Sequence, residues 1–271
     1  MKKLTKVVLS GAAVAALGCS MAFGLTGCGG GETITITGSS SVTPIMQVLA
    51  AEYEKDHDVR INVSQSDSGA GVKDTIDGNN DFGMASRLLK DSEIEQGVRG
   101  ETLCNDGLAL VVGTGCSATN ITTEEVYELY KNNTPACGGV ITSAIGRGAG
   151  SGTRSYFDEH FGLEDGYNSA VNTQQETGNV IETLNGTTSS IGYISYASLA
   201  ANTNTIKALS LDGVACTLEN ILSGEYALQR PFVIVLSENR ELSEAAQGFY
   251  DYIMSDEAQS IITANGCISI K

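Results

Sequence analysis

Apolar runs of strand length recur along this chain, most followed within a few residues by a segment of helical spacing, and this alternation restricts the fold more than any other feature. Thr33-Ile34-Thr35-Ile36-Thr37 alternates with period two, and Ile45, Val48, Leu49 and Tyr53 behind it recur with the period of a helix. Residues 59–63, 81–85, 108–112, 141–145, 191–194, 206–211 and 232–236 read as further strands. Helical patterns begin near Val72, Glu124, Tyr156, Asn179, Thr217, Leu242 and Asp256, the last stopped by Gly266. Thr43 as N-cap with Pro44 at the first helical position specifies one helix start. Strands alternating with helices in this way predict an α/β protein on largely parallel sheets.

The first segment stands apart from that pattern. Lys2, Lys3 and Lys6, then an apolar run over 7–17, then small residues ending in Leu25-Thr26-Gly27-Cys28, have the layout of an export signal. The run is shorter than the roughly 20 residues a membrane span needs. Leu25-Thr26-Gly27-Cys28 resembles the bacterial lipobox, in which the Cys is acylated and becomes the new first residue. The expectation is a signal peptide over 1–27, lipidation at Cys28, a short linker over 28–32, and a protein held by its lipid at the extracytoplasmic face of the cell membrane.

Three of the 16 basic residues lie before Cys28 and none of the 32 acidic ones does, leaving 13 against 32 and a formal charge of −19. That balance excludes the basic footprint of a nucleic-acid binder. An anionic ligand would have to be held by local dipoles and buried arginine, because the average field repels it. Cys104, Cys116, Cys137, Cys216 and Cys267 show neither a CxxC pair nor a histidine at metal spacing, so no metal site is expected. Their sequence positions leave disulfides and simple burial equally open.

The chemistry is expected where strands end, since ligands of open α/β sheets gather there and the helix that follows offers unsatisfied N–H groups. Gly38 to Ser41, Ser66 to Gly71 and Gly150 to Thr153 each combine hydroxyls with glycine, a combination suited to bringing backbone N–H groups close to an anion. Arg87 and Arg147 adjoin such strand ends. Catalytic patterns fail. A Gly-x-Ser-x-Gly nucleophile elbow centred on Ser151 would need glycine where Ala149 and Thr153 stand, no Gly-Lys-Ser or Gly-Lys-Thr completes a P-loop, and the two histidines, His57 and His160, read as surface helix residues. No catalytic residue and no cofactor are therefore expected.

Gly38-Ser39-Ser40-Ser41-Val42, Asp81-Phe82-Gly83-Met84-Ala85-Ser86-Arg87, Arg147-Gly148-Ala149-Gly150-Ser151-Gly152-Thr153 and Ile191-Gly192-Tyr193-Ile194-Ser195 resemble the phosphate-binding proteins of bacterial ABC importers. The likeness continues through Gln229-Arg230-Pro231-Phe232 to Ile253-Met254-Ser255-Asp256 and spans nearly the whole chain after Cys28. It implies a two-lobed type II periplasmic-binding fold with two chain crossovers, near 110–113 and 232–236, with lobe 1 formed by 33–112 plus 229–271 and lobe 2 by 113–228.

It further implies capture of inorganic phosphate without chemistry, delivery to the permease and ATPase subunits of an importer, and a monomer. Carried over by motif, Ser40, Ser41, Ser68 and Ser86 would supply donors from the first lobe. Arg147 would supply the charged contact, and Ser151, Gly152 and Thr153 the second lobe's helix N-terminus. Arg87 would either touch the ligand or pair with a carboxylate of its own lobe.

One departure concerns specificity. The best-known members of the family set an Asp in the cleft to accept the proton of hydrogen phosphate, but Ala149 and Arg87 occupy the two usual positions here. Asp67 and Asp81 are substitutes only if they are not a helix cap and a solvated loop carboxylate. Binding of another tetrahedral oxyanion, sulfate or molybdate, and a phosphate-sensing surface lipoprotein are the alternatives.

Overall fold

The computed structural model describes residues 31–271, so the expected signal peptide and Cys28 lie outside the described residues. The chain opens with β1 (Glu32–Ser39), α1 (Thr43–Tyr53), β2 (Val59–Ser66), α2 (Ser68–Asp77), β3 (Phe82–Ala85), the one-turn α3 (Asp91–Ile94) and β4 (Val98–Gly113). It continues with β5 (Asn120–Ile121), α4 (Thr123–Asn132), β6 (Ser143–Arg147), α5 (Gly152–Phe161), β7 (Asn172–Gln174) and α6 (Thr177–Leu184). Then come β8 (Ser190–Ser195), α7 (Tyr196–Ala200), β9 (Ile206–Ala208), β10 (Ser210–Leu211) and α8 (Leu218–Ser223). It returns through β11 (Gln229–Ser237) and closes with α9 (Glu244–Ile253) and α10 (Asp256–Ala264).

β1 lies parallel between β2 and β3, and β11 joins antiparallel to both β3 and β4, so that half reads β2-β1-β3-β11-β4. From Leu108 onward β4 pairs instead with β8 and β9, and β6 and β7 extend that second half in parallel. Each half has its own core. Ile34, Ile36, Leu49, Phe82, Met84, Phe232, Ile234 and Phe249 fill the first. Leu108, Leu110, Val112, Tyr130, Phe157, Tyr193 and Leu228 fill the second. This is the mixed α/β architecture of a two-lobed type II binding protein.

The sequence periods predict most of these elements correctly, and the differences have physical causes. The residues at 108–112 are only the apolar half of a 16-residue strand; its first half, Val98 to Gly107, is interrupted by Arg99, Glu101, Asn105 and Asp106 and lacks a continuous apolar run. The strand changes partners at Gly107 and Leu108, and β11 starts at Gln229 opposite Gly107. Residues 206–211 form two strands, because β9 pairs with β4 whereas β10 pairs with β5.

Thr43 is not the N-cap of α1. It is already helical, its hydroxyl donates to the Ser39 carbonyl at 3.1 Å, and the cap position is Val42 with no side-chain cap bond. Leu242 and Ala245 pack on the first core as the spacing predicts, and α9 itself begins after Ser243, whose hydroxyl accepts from the Ala246 N–H.

Close approach at glycine sets the sheet-end geometry. A Cβ on Gly71 would lie 2.6 Å from the Gly38 Cα, so α2 rests directly on the end of β1 only because both positions lack side chains. The five cysteines after Cys28 are free thiols, with Cys104, Cys116 and Cys267 buried. Among the described residues no helix is long and apolar enough to cross a membrane, and no group of ligating side chains could hold a metal ion.

Candidate anion site between the lobes

Four strand-to-helix connections deliver polar side chains to one buried point. β1 hands over Ser40 and Ser41 before α1, β2 hands over Ser68 at the start of α2, β6 ends on Arg147 ahead of α5, and β7 leads through Gln175 into Thr177 at the start of α6. β3 adds Ser86 directly after its last residue. Ser40, Ser41, Ser68, Ser86, Arg147, Thr153 and Thr177 are all at most 4% exposed.

The hydroxyls meet across the two halves. Ser41 Oγ stands 2.8 Å from Thr153 Oγ1 and 3.4 Å from Thr177 Oγ1. Ser40 Oγ stands 3.2 Å from Thr177 Oγ1 and accepts the Thr177 N–H at 3.2 Å. Ser68 Oγ accepts the Ser86 N–H at 3.1 Å, and Ser86 Oγ lies 3.4 Å from Thr153 Oγ1. A Cβ on Gly152 would sit 2.4 Å from Ser68 Oγ and 2.9 Å from Ser86 Oγ, so the start of α5 presses its bare backbone against the other lobe's hydroxyls.

Arg147 supplies the charge. Its Nη2 donates to Ser40 Oγ at 3.0 Å and to the Gln175 carbonyl at 2.8 Å, and its Nη1 donates to Thr177 Oγ1 at 3.2 Å. Nε has no partner. Burial, helped by the nearby Arg230 cation, lowers its pKa to about 10, which still leaves it protonated at neutral pH. Its main chain is held from behind: Tyr193 OH accepts the Arg147 N–H at 3.0 Å, and Arg154 Nη1 donates to the Arg147 carbonyl at 3.0 Å. Tyr167 links Tyr193 to Asp158, which in turn pairs with Arg154 at 3.0 Å.

The remaining expected residues have other partners. Ser151 caps α5, its hydroxyl accepting the Arg154 N–H at 3.3 Å. Arg87 turns its guanidinium into a two-point ion pair with Glu93 at 2.7 and 2.8 Å, which corrects the expectation of a direct ligand contact in favour of the lobe carboxylate. Burial alone would raise the Glu93 carboxyl, but hydrogen bonds from Arg87 and the Lys90 N–H hold it below its usual value.

Asp67 caps α2 through the Ala70 N–H at 2.8 Å, and Asp81 accepts the Thr35 N–H at 2.8 Å. Neither carboxylate is bonded to a hydroxyl of the cluster, although that of Asp67 lies against Gly150 in the turn before α5. His57 stacks on Tyr53 and His160 packs beside Phe161, so neither histidine reaches the cluster. Thr177 and Gln175 went unread in the sequence, although Gln-Glu-Thr-Gly after a short strand repeats the same small-polar signal.

The arrangement offers many donors around one buried cation. That chemistry suits the dry capture of a compact anion. Fold and site together define a two-lobed, cleft-binding protein of type II topology. The chain belongs to the PBP superfamily, whose domain model matches residues 26–257.

Among solved structures it is similar to a Clostridium perfringens protein described as a phosphate ABC transporter substrate-binding protein with bound phosphate. That match has 31% identity and a TM-score of 0.82, covering 89% of this chain and 100% of the other. It is also similar to an ABC-type phosphate transport receptor from Vibrio cholerae, at 31% identity and TM-score 0.69, covering 87% and 99%. Among curated relatives, the phosphate-binding protein PstS 2 of Streptococcus pneumoniae is 42% identical over 47% of this chain, and the match spans about half of that relative's length, 45%.

Proposed function

We propose that this protein captures inorganic phosphate outside the cytoplasm and hands it unchanged to the permease and ATPase subunits of an ABC importer. The observation that carries this reading is the convergence of hydroxyls from both halves on Arg147. Four oxygens of a tetrahedral anion would find Ser40, Ser41, Ser86, Thr153 and Thr177 hydroxyls and a charged fork within one shell, with Ser68 and the Gly152 backbone closing it. The phosphate-bound Clostridium relative supports the choice of ligand.

Lobe 1 comprises residues 33–107 together with those from Gln229 onward, and lobe 2 the segment between, a division supported by the change of strand partners. Contacts made only in the closed form lower its free energy, and the closed form docks on the permease as a monomer. Cleavage before Cys28 and acylation of that residue keep the protein at the membrane surface.

One observation favours a second reading, a wider oxyanion range: among the described residues the two candidate carboxylates, Asp67 and Asp81, are bonded to the Ala70 and Thr35 N–H groups rather than to a hydroxyl of the cluster. Calorimetric titration of the chain from Cys28 onward with phosphate, arsenate, sulfate and molybdate tests both. Tight uptake of phosphate and arsenate with weak sulfate supports the phosphate reading. Comparable uptake of sulfate supports the broader one, and no uptake of any refutes the site.

A further inference from the structure

Beside the proposed anion site lies a second buried cation that the binding reading leaves unused. Arg230 on β11 and Asp106 on β4 are register partners, one step from the pair Gln229 and Gly107 where both strands pass between lobes. Their side chains have no exposed surface. Arg230 Nη2 donates to Asp106 Oδ2 at 3.3 Å, Nη1 donates to the Ser86 carbonyl at 3.4 Å, and Nε has no partner. The guanidinium lies 5.5 Å from the Phe232 ring, and Asp106 Oδ1 accepts the Ala197 N–H at 3.3 Å.

Holding two strands together does not require this pair. Buried ions lose hydration that their mutual attraction often fails to return, and an apolar pair of similar volume would serve as well. The strain is visible in Asp106, whose carboxyl burial pushes up to about 6 against the attraction of Arg230. What an apolar residue cannot do is grip the Ser86 carbonyl. Ser86 follows the last residue of β3, and its hydroxyl is a lobe 1 partner of Thr153. Because a peptide unit is planar, fixing that carbonyl fixes the orientation of the whole Ser86 to Arg87 link.

We propose that Arg230 is a positioning residue for the anion site: braced by Asp106 between the two crossing strands, it fixes the Ser86 main chain so that the Ser86 hydroxyl meets Thr153 and the ligand when the cleft closes. The proposal rests on the reading of the cleft as an oxyanion site.

The test is a double-mutant cycle. Inorganic phosphate is titrated by calorimetry into wild type, Arg230→Met, Ser86→Ala and the double variant, with thermal melts of each phosphate-free protein. Arg230→Met is expected to weaken phosphate binding about tenfold or more. In the Ser86→Ala background the same change is expected to cost less than about threefold, because both act through one group. Arg230→Lys, which restores a donor, recovers part of the loss.

Equal affinity of wild type and Arg230→Met overturns the proposal, whatever the melting temperature does, since a merely structural role would lower Tm and leave Kd alone. An equal loss in both backgrounds also overturns it. If wild type binds no phosphate, the oxyanion reading falls as well; if wild type binds and only the cycle fails, that reading stands. Should Arg230→Met melt below the titration temperature, Asp106→Asn, which keeps the guanidinium but loosens its brace, goes through the same cycle with the same expectations and refutations.

Discussion

Replacing Arg147 by Met separates affinity from stability in this protein. Met has similar reach, fills the same buried space and carries no charge. Arg147 is 1% exposed, and among the described residues its fork is the one cation bonded to the cluster's hydroxyls, while Arg87 is bound to Glu93 and Arg230 to the Ser86 carbonyl. Removing one partner of a buried, hydrogen-bonded charge pair costs about 2 to 5 kcal/mol of binding. At about 1.4 kcal/mol per factor of ten, phosphate affinity should fall by roughly 30-fold to several thousandfold.

The free protein should respond differently. Burial that lowers the guanidinium from 12.5 to about 10 corresponds to roughly 3 kcal/mol disfavouring the charged form. Losing the bonds to Ser40, Thr177 and the Gln175 carbonyl offsets that relief at about 1 kcal/mol each. The phosphate-free Tm is therefore expected to stay the same or rise slightly. Calorimetry with phosphate and melts without it measure the two quantities. Affinity within twofold of wild type would refute the assignment of Arg147 to the ligand. A large fall in both quantities would show that Arg147 holds the fold instead.

Thr153→Val keeps the shape but removes the hydroxyl 2.8 Å from Ser41 Oγ, so phosphate binding should weaken by about 1 to 3 kcal/mol, less than for Arg147→Met, by the same titration. Gly152→Ala places a methyl 2.4 Å from Ser68 Oγ, which should wedge the lobes apart; X-ray scattering with saturating phosphate should show no compaction. Asp106→Asn tests a pH effect. Because the folded-state pKa of Asp106 lies at about 6, above its ordinary 3.8, its contribution is fully present below the unfolded value and is lost as pH rises through about 6. The stability of wild type relative to Asp106→Asn should therefore grow as pH falls from 7 to 4.5, and a difference constant with pH in melting experiments would contradict it.

Much of the site was legible because small polar residues at strand ends are a local signal. Gly38 to Ser41, Ser68, Ser86 and Gly150 to Thr153 all sit where that signal places them, and the structure brings Ser40, Ser41, Ser68, Ser86 and Thr153 together. Thr177 carries the same signal more faintly, behind a three-residue strand on the sheet edge. Partner choice was not legible. Whether Arg87 faces a ligand or Glu93, six residues on, depends on the turn into α3, and whether Ser151 donates to a ligand or caps α5 depends on the backbone angle at the helix start. Arg230 and Asp106 meet only because β4 and β11 align in one register, a relation between residues 124 apart that periodicity cannot report.

The two lobes are joined by β4 and β11, which form one hydrogen-bonded ribbon interrupted by a single irregularity between Phe232 and Val233. The paired residues 98–107 and 229–237 all lie on the lobe 1 side of the two passages, so their amide protons should exchange slowly in both free and loaded protein while those at the cleft rim respond to ligand.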